Sequence, residues 1–134
     1  MLENFIKART PFTDEELKEV ELACGFDLPA DYKAFVMIHG NAFVGGVLDD
    51  QDGEPVDGLY SAKQIIDGVA SDPGYRTSRA IPIADMALGN YWALADDGGI
   101  YYLNYYEKPF SSTKVASSFS EFVSRIVEEK WDDE

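Results

Sequence analysis

The chain has 134 residues, of which 46% are hydrophobic and 13% aromatic, enough apolar material for an ordinary buried core and too much for disorder. Twenty-five acidic residues against eleven basic ones give a formal net charge of −14, a field that repels phosphate backbones and argues against direct nucleic-acid binding. No run approaches the roughly 18 apolar residues of a membrane span, and the single cysteine, Cys24, suits a reducing compartment, with the cytoplasm as the expected location.

The opening segment, Met1 to Lys7, lacks the basic-then-apolar pattern of a signal peptide. Residues Asn4 to Ala8 read as a short helix. Thr13 with Glu16 three residues later forms a capping box, in which hydroxyl and carboxylate each satisfy a free backbone N–H. Leu17, Val20 and Cys24 then recur at helical spacing, and Gly25 stops the helix. A second helix has Pro29 and Asp31 in its first turn and Gly40 at its end, with Tyr32, Phe35, Val36 and His39 on one face. Ala42 to Leu48 is an apolar strand whose Gly45-Gly46 pair marks a bend or bulge. A short strand, Val56 to Tyr60, leads into a helix opened by the Ser61/Gln64 capping box. Ile81 to Ala84 is another short strand. Tyr91 to Ala95 and Ile100 to Tyr106 flank Asp96-Asp97-Gly98-Gly99, a hairpin signal. Lys114 to Ala116 is the last strand. A third capping box, Ser118/Glu121, opens a closing helix whose stripe is Phe119, Phe122, Val123, Ile126 and Val127. No repeat or linker divides this order. It predicts one α+β domain over 1–134, with a mainly antiparallel sheet and helices packed against it.

The acidic loop Asp49-Asp50-Gln51-Asp52-Gly53-Glu54 fails as a calcium loop. With Gly53 at the required glycine, the first ligand position falls on Leu48 and the closing bidentate acid on Leu59. It reads as a solvated turn, or as a partner-binding acidic patch together with Asp57. His39 is the only histidine, so no metal site is expected, and its place at a helix end fits capping rather than catalysis. Neither glycine pair has the spacing of a phosphate loop, and no cofactor is expected. The tyrosines of the hairpin strands are different: alternate residues face opposite sides, so half should be core and half exposed. Exposed tyrosines suit protein contacts. The expected partner-binding residues are Asp49, Asp50, Asp52, Glu54, Asp57, Tyr91, Tyr101 and Tyr105.

Four segments carry a resemblance. Leu28-Pro29-Ala30-Asp31-Tyr32-Lys33-Ala34-Phe35, preceded by Glu21 and Gly25-Phe26, resembles the signature of the SUKH superfamily of Smi/Knr-type proteins. Ile81 to Asp85 with Gly89 to Trp92, then Asp96 to Tyr102, then Val115 to Phe122 resemble its central strands, hairpin and closing helix. One departure is His39-Gly40-Asn41, where an Asn-Gly-like turn is usual. The resemblance implies an α+β fold in which Leu28, Pro29, Tyr32, Phe35, Phe119 and Phe122 are architectural. It also implies function. Many bacterial members look like immunity proteins that neutralise toxins, often nucleases, whereas fungal members act in cell-wall and signalling assemblies. It carries no catalytic set. The expectation is a non-enzymatic immunity protein that binds a cognate basic toxin, and the alternative is a regulatory or scaffolding interaction module. An enzyme built on scattered acids ranks behind both, because no cooperating constellation is visible.

Overall fold

The computed structural model describes residues 6–7, 9–49, 55–85, 91–104 and 111–128. Helix α1 is Asp14–Cys24. Its capping box closes in both directions, with Glu16 N donating to Thr13 Oγ1 at 3.1 Å and Thr13 N donating to Glu16 Oε1 at 2.9 Å. Helix α2 is Ala30–His39, entered through Pro29, and α3 is Ala62–Ser71 behind the closed Ser61/Gln64 box. Helix α4, Pro73–Ser78, has no counterpart in the sequence reading. The Asp72 carboxylate accepts from Gly74 N at 3.0 Å and Pro73 occupies the first turn, and together these start a short helix. Helix α5 is Phe119–Ser124.

The strands are β1 Ile6–Lys7, β2 Phe43–Leu48, β3 Pro55–Gly58, β4 Ala80–Asp85, β5 Tyr91–Ala95, β6 Ile100–Asn104, β7 Ser111–Ala116 and β8 Ile126–Glu128. All their pairings are antiparallel. In the first four-stranded sheet β2 pairs with β3 and also with β1 and β8; the second runs β4-β5-β6-β7. A lone bridge between Leu59 and Ala84, reinforced by Tyr60 N donating to Ile83 O at 2.9 Å, joins the sheets. The expected irregularity at Gly45-Gly46 is present as a register shift between Phe43 and Gly46. The chain is α+β, as the pattern predicts.

Three local expectations need correction. Ile6 and Lys7 do not belong to a helix: they lie opposite Val44 and Phe43 and extend the edge of β2. The closing helix stops at Ser124, and Ile126 and Val127 leave it to pair with Leu48 and Val47. Arg125 makes this exchange. Its backbone carbonyl accepts from Asp49 N at 2.6 Å, its Nη2 donates to Asp49 O at 3.3 Å, and its Nη1 donates to Val115 O. The third capping box is offset: Ser118 Oγ accepts from Glu121 N at 3.0 Å, but the Glu121 carboxylate reaches back to Ser117 N at 2.6 Å, one residue early.

The helices and the second sheet meet in a chain of aromatic rings. Phe119 stands edge-on to Tyr32 at 5.1 Å and to Phe35 at 5.2 Å, Phe122 packs on Trp92 at 5.3 Å, and Trp92 stands edge-on to Tyr102 at 5.7 Å. Such pairs contribute about 0.5–1.5 kcal/mol each beyond their burial. Tyr32, Trp92, Phe119 and Phe122 are all fully buried. The other residues of the Leu28 segment also hold elements together. The Glu21 carboxylate of α1 accepts from Leu28 N at 2.8 Å and pairs with Lys33 Nζ at 3.3 Å, which sets the start of α2 against α1.

Candidate functional site

Strands β4, β5 and β6 have two faces, separated by the strand period. On one, Trp92 points into the aromatic core with Leu94 and Ile100. On the other lie Pro82, Ala93 and Tyr101, which are register partners across the three strands, and Tyr91 two residues before Ala93. Helix α3 covers part of this second face. Gly68 makes the approach close: a Cβ there would lie 3.1 Å from Pro82 Cγ. A cleft of about 420 Å³ runs beside the helix, lined by Tyr60, Gln64, Asp67, Gly68, Ser71, Asp72, Tyr75, Pro82 and Tyr91. Tyr60 and Tyr91 are half-buried, with ring centroids 6.4 Å apart in an edge-to-face arrangement.

Tyr101, further along the same face, is fixed by the hairpin. Its hydroxyl donates to Asp97 Oδ2 at 2.9 Å, and Lys114 Nζ lies 3.4 Å from the same oxygen and 5.9 Å from the centre of the Tyr101 ring. Gly99 N donates to Asp97 Oδ1 at 2.8 Å. That backbone bond, then the bonds from Tyr101 and Lys114, hold the Asp97 carboxyl below its ordinary range, so it stays an anion. The hydrogen bond to Asp97 in turn raises the Tyr101 phenol. Next to them, Asp96 pairs with Arg79 at 2.6 Å, and the Arg79 guanidinium lies 5.8 Å over the Phe26 ring. Arg79 is the one non-glycine residue with positive φ, 56°, among the described residues, at the end of α4.

Of the eight residues expected to bind a partner, Tyr91 and Tyr101 share this face. Asp49 is elsewhere, exposed at the end of β2 where it meets Arg125, and Asp57 falls within β3. Asp50, Asp52, Glu54 and Tyr105 lie outside the described residues. The acids that flank the two tyrosines are Asp96 and Asp97, which the sequence reading treats as turn formers, and Asp67 and Asp72 on the cleft. Gln64, Asp67, Gly68 and Ser71 recur at helical spacing, a polar stripe visible in the sequence, but its position beside Tyr91 depends on how α3 packs on β4.

The remaining reactive side chains occupy structural places. The His39 ring packs at 4.4 Å on Phe35, and its carbonyl accepts from Arg9 N at 3.1 Å. Cys24 is buried, and burial pushes its thiol up from the ordinary value, which suppresses the reactive thiolate. Among the described residues, no three His, Cys, Asp or Glu side chains are grouped to hold a metal, and no helix is long and apolar enough to cross a membrane.

No individually curated protein matches the sequence. A comparison with protein families, however, matches residues 11–125 to the SMI1 / KNR4 family (SUKH-1), a span that runs from before α1 to the end of α5. The chain belongs to that family.

Proposed function

We propose that this protein is an immunity protein that binds a cognate basic toxin in the cytoplasm and neutralises it by covering its active site. Family membership carries the reading, because many bacterial SUKH members look like immunity proteins directed at toxins, often nucleases. The net charge of −14 supports it, since a nuclease that grips phosphates presents a basic surface, and opposite fields accelerate encounter and suppress wrong partners. The proposed contacts are two groups: Tyr91, Tyr101 and Tyr105, to which the hairpin acids Asp96 and Asp97 add, and the acids Asp49, Asp50, Asp52, Glu54 and Asp57, of which Asp49 lies apart from the tyrosine face. Tyrosine supplies large contact area at low entropic cost, and the acids supply orientation and speed.

The test is co-expression with the product of the adjacent gene, scored for rescue of growth, followed by pull-down at low and high salt. Rescue with salt-sensitive binding is the expected result. Reversing the charge at Asp49, Asp50, Asp52, Glu54 and Asp57 together should abolish rescue in a chain that still folds. If rescue and salt sensitivity survive that change, the proposed surface is wrong. If the pair neither binds nor rescues, the scaffolding role of the fungal members becomes the better reading.

A further inference from the structure

We infer that the cleft between α3 and the β4–β5 pair receives an arginine side chain of the protein partner. This rests on the partner-binding reading above and names the chemistry its tightest contact would use. Three tyrosines, Tyr60, Tyr75 and Tyr91, line the cleft. Tyr75 is buried, so a guanidinium would stack on the half-buried rings of Tyr60 and Tyr91, attracted by their electron-rich faces. The ionisable acids and bases among the lining residues are Asp67 and Asp72, both acidic. At the floor, Gly68 contributes no side chain and Pro82 presents an apolar surface.

The existing contacts of the two carboxylates leave room for this guest. Asp72 uses Oδ1 to accept from Gly74 N at 3.0 Å. Asp67 pairs through Oδ2 with Lys63 at 2.8 Å, but the two side chains are 62% and 85% exposed, and a pair so open to water holds too weakly to exclude a competing cation. Arginine fits better than lysine. Its planar fork stacks and donates at the same time, whereas an ammonium is a compact, strongly hydrated charge that must shed water to enter an aromatic-walled cleft. A cleft of about 420 Å³ also takes one long side chain and is too small for a folded element.

The experiment is a titration of the isotopically labelled chain with N-acetyl-arginine amide, followed residue by residue in amide NMR spectra. N-acetyl-lysine amide and the neutral isostere N-acetyl-citrulline amide serve as the comparison probes. Saturable shifts confined to the amides of Gln64, Gly68, Ser71 and Tyr91 are expected with the arginine probe, weaker ones with lysine, and none with citrulline. Asp67→Asn, on an exposed position where the fold is not at stake, should weaken the arginine response about fivefold. Equal shifts with citrulline, or arginine shifts spread over the whole acidic surface and including the Asp49 amide, would overturn the assignment. The two readings fail separately. Toxin neutralisation with an unresponsive cleft removes only the arginine site, whereas a saturable cleft in a chain that rescues nothing removes only the immunity role.

Discussion

Gly40 and Gly98 both hold positive φ, 63° and 87°, yet their surroundings separate backbone strain from collision. A Cβ at Gly98 meets nothing within 4 Å, so Gly98→Ala should cost about 1 kcal/mol, the strain of the conformation alone. A Cβ at Gly40 would fall 1.9 Å from Thr10 O. That carbonyl has nowhere to go, because the segment around it is pinned to the end of α2 by Arg9 N on His39 O and Phe12 N on Val36 O. Gly40→Ala should therefore cost at least about 3 kcal/mol. Urea midpoints of the two variants decide it, and near-equal losses would mean that the Thr10 segment yields. Tyr32 poses the opposite problem. It is fully buried, and among the described residues its hydroxyl has no hydrogen-bond partner, so burial alone drives its phenol far up from the ordinary value. A phenol raised in the folded state leaves stability intact below pH ~10 and erodes it above, as the unfolded chain ionises first. Tyr101, also raised, acts in the same direction. Tyr32→Phe should thus be neutral or stabilising by up to about 1 kcal/mol at pH 7, and should flatten the fall in stability above pH ~10 without removing it. A loss at pH 7 would reveal a partner for the hydroxyl.

Elements with strong local chemistry were legible in the sequence, and those defined by distant contacts were not. The Thr13 and Ser61 boxes close as read, and the Asp96 to Gly99 turn forms with Gly98 at positive φ, because a few adjacent residues determine each. Ile126 and Val127 satisfy the helical stripe equally well, but they are β-branched, and the edge of β2 offers backbone partners that an eighth or ninth helical residue would not have. Ile6-Lys7 is extended for the same reason. Periodicity cannot register a partner that lies far away in the chain. Asp31 shows such a link at one side chain. Its Oδ1 accepts from Tyr32 N at 2.8 Å within α2, and its Oδ2 accepts from Ser120 N at 2.9 Å in the first turn of α5. One carboxylate therefore serves the positive ends of two helices. Asp31→Ala should cost about 1–2 kcal/mol, and amide hydrogen exchange at Ser120 should quicken while the α3 amides keep their rates. Uniform acceleration across both helices would show a general loss of stability and no specific tie.

At the scale of the whole molecule, charge has two opposed effects on stability, and their sizes decide the sign. The four ion pairs among the described residues are attractive, but in each the side chains are about a fifth exposed or more, and such pairs contribute roughly 0–1 kcal/mol apiece. The excess of 25 acids over 11 bases is repulsive, and folding concentrates it. The same excess that draws a basic partner should therefore loosen the isolated chain. Added salt screens both effects, but the repulsion acts over the longer distances and is screened first; the Debye length is about 30 Å at 0.01 M and about 10 Å at 0.1 M. The melting temperature of the free protein should accordingly rise between 0.01 and 0.2 M salt, by about 3–4 °C for each kcal/mol gained in a chain of this size. Sodium and potassium chloride should act alike, since the effect is screening and not ion binding. A partner that neutralises the excess should replace the salt: in its presence the rise should shrink, while association slows as salt increases. A free chain whose melting temperature falls with salt would mean that the ion pairs, small as each is, outweigh the net charge.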